Sequence, residues 1–246
     1  MKPIKGLVAP PDQLRRYCND PAKAQTWAAF RRDGEGRRAY DDLSAALVEA
    51  QRGLCCYCEI TLIVPDDRQI EHVRSRDRFP QQALDVTNML AGCQGGSKPS
   101  LASDPNRFTR PAKPNLSCGQ KKGVADTLDP RRLPSDVSVF VVTDDGRMLV
   151  AAEACTANGI SADEAKNALL DLGLQAPRLI AARKKIMQAL AADNGAPSAE
   201  NEHFARGELL PDGQGKIPPW FTTRRSYFGA IAEKILAEPP QDWIGM

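Results

Sequence analysis

Residues 55–58 read C-C-Y-C, residues 69–73 Q-I-E-H-V, residues 85–93 D-V-T-N-M-L-A-G-C and residues 117–123 S-C-G-Q-K-K-G; these four runs decide what the 246-residue chain can be. They hold Cys55, Cys58, Glu71, His72, Asn88, Cys93 and Cys118, a density of metal-ligating and proton-transferring groups unmatched elsewhere in the chain. A C-x-x-C pair followed by two spaced cysteines can close a tetrahedral thiolate site, which suits zinc and lends folding free energy to a module too small to hold itself together. Cys55, Cys58, Cys93 and Cys118 are the expected structural ligands, with Cys56 as the alternative to Cys55. There are seven cysteines, an odd number, and five lie between positions 55 and 118. In a reducing compartment that distribution argues for a metal site over a disulfide framework.

Working outward, Tyr40, Leu43, Leu47, Ala50 and Leu54 recur at helical spacing, so a helix leads into the first cysteine pair and Gly53 breaks it. A shorter helical segment surrounds Trp27 and Phe30, and residues 31–38, with Gly34 and Gly36, read as an exposed loop. Residues 60–64, short and rich in β-branched side chains, read as one strand, and residues 69–73, carrying Glu71 and His72, as a second. Residues 95–114 separate Cys93 from Cys118 as a long loop of Gly, Ser, Pro, Asn and basic residues. That loop is expected to be mobile and to contact nucleic acid or a partner through Lys98, Arg107, Arg110 and Lys113.

Farther on, residues 137–142 and 147–150 flank Asp144, Asp145 and Gly146, a hairpin signal. Ser161 with Glu164 forms a capping box, and Pro177 opens a helix with Leu179, Ile186 and Leu190 on one face. Residues 194–219 read as a loop, and a last amphipathic helix carries Phe228, Ile231 and Ile235. The chain thus divides into a helical segment over 1–54, a metal-stapled core over 55–134 and a hairpin-plus-helix region over 135–246, an α+β protein.

The net charge of +2 does not mark the whole molecule as a polyanion binder, but the basic residues are bunched, among them Arg74, Arg76, Lys121 and Lys122 beside the runs quoted above. The first residues carry no apolar leader and no later run has the length of a membrane helix, so a cytoplasmic location and no membrane partner are expected. His72 is one of two histidines. Its imidazole can take a proton from water near neutral pH, and Glu71 beside it can hold a divalent cation. Asn88 reads equally as an Asx turn or helix cap. His203 lacks such neighbours and is given no role.

Together, M-K-P-I at the amino terminus, Trp27 and Phe30, C-C-Y-C-E, I-E-H-V-R-S, D-V-T-N-M-L, S-C-G-Q-K-K-G, L-D-P and D-L-G-L-Q-A-P-R-L-I-A-A-R-K-K resemble the HNH endonuclease family of retron and Septu anti-phage defence systems. The resemblance spans most of the chain. It implies a zinc-stapled ββα-metal core, also called a His-Me finger, flanked by helical segments, and a metal-dependent enzyme that hydrolyses phosphodiester bonds of DNA. His72 would activate water, Glu71 would hold magnesium or manganese, and Asn88 would orient the histidine. Arg74, Arg76, Lys121 and Lys122 would face nucleic acid. An ABC-type ATPase encoded alongside, and a retron reverse transcriptase with its small DNA and RNA, are the implied partners.

The chain departs from the family pattern at the third motif position, where histidine or asparagine gives way to Gln120, or to Gly119 if the alignment slides by one. Gln120 is therefore the expected but weaker cation ligand. Two rival readings accompany this one. The first is a catalytically weak nucleic-acid or partner-binding adaptor whose zinc is architectural; the second is a stand-alone restriction or homing-type nuclease.

Overall fold

A computed structural model describes residues 1–62, 64–194, 197 and 202–238. The chain is α+β. Helices α1 (Asp12–Asn19), α2 (Trp27–Arg32) and α3 (Gly34–Ala50) lead into strands β1 (Arg68–His72) and β2 (Met89–Cys93) and a short helix α4 (Cys118–Lys122). A second hairpin, β3 (Phe140–Val142) and β4 (Met148–Val150), precedes helices α5 (Ala152–Ala157), α6 (Ala162–Asp171), α7 (Pro177–Asn194), α8 (Glu202–Leu209), α9 (Phe221–Phe228) and α10 (Ala230–Ala237). No helix among the described residues is long and apolar enough to cross a membrane.

Residues 31–38 are not a loop. The Asp33 carboxylate accepts from the backbone N–H groups of Glu35 and Gly36, capping α3 at its first turn, so the chain passes from α2 to α3 through one residue. Helix α3 buries Leu43 and Leu47 and ends at Ala50, short of the expected Leu54.

Residues 60–62 form no strand; Leu54 and Thr61 make a single antiparallel bridge. Ile63 lies outside the described residues. The cysteine knuckle takes the backbone groups an extended strand would have used: Ile60 accepts from the N–H of Cys55 and Cys55 accepts from that of Glu59. The partner of β1 is instead β2, antiparallel, with Glu71 opposite Leu90 and His72 opposite Met89. Every residue of β2 is buried, so it shows no alternation for a sequence reading to detect.

The second hairpin forms as the sequence predicts, and Ser161 caps α6 by accepting from the N–H of Glu164, but the Glu164 carboxylate accepts from Arg132 instead of closing the reciprocal half of the capping box. Residues 194–219 contain α8 rather than loop alone, and the last helix is divided by Gly229 into α9 and α10.

The three expected segments share one core. Its buried side chains include Leu14 and Phe30, Tyr57 and Leu90, and Phe140, Leu172 and Leu179. Buried polar contacts tie the segments as well: Glu59 lies 3.3 Å from the Met1 ammonium and accepts from the Thr222 N–H at 2.8 Å. A second cluster, with Leu190, Phe221, Phe228 and Ile235, joins α7, α9 and α10.

Candidate metal centre and catalytic cleft

The sulfurs of Cys55, Cys58, Cys93 and Cys118 all lie within 4.8 Å of one another and all four residues are buried. Cys55 to Cys118 is 3.8 Å, Cys58 to Cys93 is 3.6 Å and Cys93 to Cys118 is 3.6 Å. Zinc–sulfur bonds of about 2.3 Å in a tetrahedron require sulfurs about 3.8 Å apart, whereas a disulfide requires about 2.05 Å. The spacing therefore fits a tetrahedral ion and no disulfide. Cys56, although next in sequence, is not one of the four.

Backbone N–H groups complete the cage: Cys93 donates to the Cys55 sulfur and Gly95 to the Cys93 sulfur, each at 3.3 Å. The Cys55 thiol lies well below its ordinary range: burial pushes it up, but hydrogen bonds from the neighbouring thiols outweigh that. Cys118 lies well above, because its thiol proton is shared with Cys55, Cys58 and Cys93. Four sulfurs so close cannot all ionise without a cation, so the cluster is chemically suited to binding one.

Three separated pieces of chain are brought to this point by local geometry. Gly95 has φ +59°, and a Cβ there would sit 2.3 Å from the Ser117 carbonyl oxygen, so only glycine lets the two segments approach. Cys118 takes φ +54° while its N–H donates to the Leu172 carbonyl at 2.7 Å, a left-handed conformation held by the surrounding structure. Behind it, the buried Arg178 guanidinium binds the Asn115 carbonyl at 2.9 Å and the Ser117 hydroxyl, clasping residues 106–117 to α7.

That clasp changes the reading of the long loop. Its residues pack as 3-10 turns with Phe108 buried, and Arg107, expected to contact nucleic acid or a partner, lies 3.2 Å from Asp67 and 3.1 Å from Asp104.

A cleft of about 280 Å³ opens beside the cluster, lined by Glu71, His72, Arg76, Asp77, Gln120 and Lys122, among others. His72 ends β1, where its ring meets Trp27 edge-on with centroids 4.6 Å apart. Its Nε2 is 3.0 Å from the Ala83 carbonyl oxygen. A carbonyl only accepts, so Nε2 carries the proton and Nδ1 keeps the lone pair. Burial lowers the imidazole to about 4, which keeps it neutral.

Asn88 holds the loop that supplies this carbonyl. Its Oδ1 accepts from the Arg74 N–H at 2.8 Å, and its Nδ2 donates to the carbonyls of Arg74 and Gln82 at 3.1 and 3.4 Å. The Asx turn that sequence allowed at Asn88 is made instead by Asp85, whose carboxylate accepts from the Thr87 N–H.

One oxygen of the Glu71 carboxylate is held by protein partners. Its Oε1 lies 2.9 Å from Lys122 Nζ and 3.5 Å from the Tyr57 hydroxyl. A Cβ at Gly119 would come within 2.0 Å of Oε2. Burial raises this carboxyl, and Lys122 counters part of the rise.

Lys122, expected to face phosphate, is buried and also donates to the His72 carbonyl at 2.6 Å. Gln120, expected as a cation ligand, donates its Nε2 to the Gln69 amide oxygen at 3.1 Å, a bond that leaves its own amide oxygen, the atom that would meet a cation, outside it. Apart from the four cysteines, the described residues contain no cluster of three converging His, Cys, Asp or Glu ligand atoms.

Arg74 and Arg76 are exposed, and their guanidinium groups lie over Phe79 at 5.3 Å and Trp27 at 5.0 Å. Lys121 is exposed on α4. These three remain available to a ligand, unlike Lys122.

Sequence reasoning missed three residues of this region. Asp77 lines the cleft, and the S-R-D-R run containing it carried that hint. Tyr57 and Arg178 act through contacts far apart in sequence and gave no local signal. A scan against protein-family models returns no match, and neither does a comparison with curated proteins.

Proposed function

We propose that the protein is a phosphodiester hydrolase acting on DNA, an HNH-type endonuclease with a zinc-stapled ββα-metal core built from β1, β2 and α4. The observation that carries the reading is the His72 ring. It lines a polar cleft, neutral, with Nε2–H anchored on a backbone carbonyl and Nδ1 left as a base.

In the proposed reaction Nδ1 takes a proton from water and the hydroxide forms the new P–O bond. The bond to the leaving nucleotide oxygen breaks, and that oxygen takes a proton from solvent. Arg76 and Lys121 offer positive charge to the phosphate, Lys122 holds the His72 peptide in place, and Asn88 fixes the loop that orients the ring. Zinc on Cys55, Cys58, Cys93 and Cys118 has a structural role, stapling α4 to the strands. Magnesium or manganese belongs to the reading as an ion arriving with the substrate phosphate, since Glu71 is held by Lys122.

Service in an anti-phage system, with an ABC-type ATPase and a retron reverse transcriptase as partners, is part of the proposal and rests on the sequence resemblance. The adaptor reading is favoured by one observation, that among the described residues no third His, Cys, Asp or Glu ligand atom converges with those of Glu71 and His72. Incubating purified protein with labelled DNA and RNA, with and without the ATPase, across magnesium and manganese concentrations separates the two. DNA cleavage supports the nuclease; binding without cleavage under every condition supports the adaptor.

A further inference from the structure

A second cleft, of about 470 Å³, lies where the last turn of α3 meets the start of β1 and the segment before α9; Arg52, Arg68 and Lys216 line it against the single carboxylate of Glu49. That excess of positive charge suits an anion. Arg68 is half-buried, and its Nε is buried without a hydrogen-bond partner, an uncommon state for a charged donor. Arg52 is held at φ +59°, a conformation that non-glycine residues adopt at a cost, with its Nη1 on the Gly215 carbonyl at 3.3 Å. The Lys216 stem passes beside Gly53, where a Cβ would lie 3.1 Å from its Cδ, and among the described residues no carboxylate pairs with its ammonium.

We infer that this cleft binds the phosphodiester backbone of a nucleic acid, as a positioning site apart from the His72 cleft; the inference deepens the proposed nuclease reading and rests on it. Arg68 and His72 fall on one face of β1, four residue steps and so about 13 Å apart. That separation is an axial span of only a few nucleotides in a duplex, whose rise is about 3.4 Å per step along the helix axis. Ile70 between them is buried, with Tyr40 of α3 accepting from its N–H at 3.4 Å, so a backbone seated on Arg68 and Lys216 reaches His72 only by passing outside α3. The volume is in the range that takes a drug-sized ligand, more than one free phosphate ion fills.

The test is fluorescence anisotropy with fluorescein-labelled duplex DNA, in EDTA so that no turnover occurs, over a range of salt. Lys216→Glu, at a half-exposed position, is expected to weaken binding about tenfold and to shrink the slope of log affinity against log salt by about one. Its zinc content and its hydrolysis of bis(p-nitrophenyl) phosphate, too small to span both clefts, should match wild type. Arg68→Gln should weaken binding in the same direction. Wild-type affinity and slope in both variants overturn the inference, as does the absence of DNA binding by the wild-type protein. Displacement of the DNA by millimolar inorganic phosphate from wild type but not from Lys216→Glu overturns it too, since it marks a free-anion site. Hydrolysis of the small diester is read independently, so the inference can fail while the nuclease reading stands.

Discussion

The cysteine cluster and the His72 cleft share α4 as a wall, yet they are organised in opposite ways. In the cluster, four like ligands from three distant pieces of chain converge, and their backbone partners only reinforce the sulfurs. In the cleft, Glu71 and His72 are adjacent in sequence but their side chains go to different partners, one to Lys122 and the other to a loop carbonyl. Strand alternation sends neighbours to opposite faces, so adjacency in sequence does not make a chelate. The cluster is a folding device complete in itself, while the cleft keeps one ring nitrogen unspent and is suited to chemistry on a ligand from outside.

The largest expected effect breaks the first half of that comparison. Cys58→Ser or Cys118→Ser should yield an aggregation-prone chain, because structural zinc in small modules contributes on the order of 10 kcal/mol. Metal analysis should find about one zinc per wild-type chain. Freshly purified, reduced protein containing no metal would remove the staple from the account.

Next is Lys122→Met, which leaves the Glu71 carboxylate buried without its cation. A loss of about 3–5 kcal/mol in urea titration is expected, with zinc retained. A change smaller than 1 kcal/mol would mean that Glu71 does not depend on the lysine.

Smaller still is the acid response of His72. Its pKa in the folded protein, about 4, lies below the ordinary 6.5, so the unfolded chain binds more protons between those values. Stability is then fully present above about pH 6.5 and falls toward pH 4, by on the order of 3 kcal/mol. Glu71, raised by burial, acts in the opposite sense, so the readout is the difference between wild type and His72→Gln. Parallel stability curves for the two would refute the buried neutral ring. The smallest effect is that of Gln120→Ala, whose amide meets only Gln69: stability should change by about 0.5 kcal/mol or less. A large fall in cleavage rate in that variant would instead make Gln120 a cation ligand and bring the two sites closer in kind.

The contrast also explains what was legible in the sequence. Cys55, Cys58, Cys93 and Cys118 were readable because thiols in that spacing have few other uses, and the hairpin at Asp145 and Gly146 was readable from local turn chemistry. Residues 60–62 misled because β-branched composition describes a buried surface as well as a strand, and the knuckle took their hydrogen bonds. Residues 31–38 misled because their glycines masked a good Asp33 cap. Lys122 and Gln120 could be placed near the site from the motif, but the direction of their side chains depends on Glu71 and Gln69, about 50 residues away. Arg107 looked like free surface charge because its partners, Asp67 and Asp104, are brought to it by packing, and Arg178 gave no signal because the carbonyls it binds lie about 60–70 residues away.

The most direct test of the central claim is single-turnover cleavage of labelled DNA by wild type and His72→Ala at matched zinc content. The account predicts that the variant keeps its zinc and its fold while the rate falls by about 10²- to 10⁴-fold, the contribution of a positioned general base. Cleavage by His72→Ala at the wild-type rate would contradict it, leaving the cleft without a catalytic role and the protein to be understood as a zinc-stapled binding module.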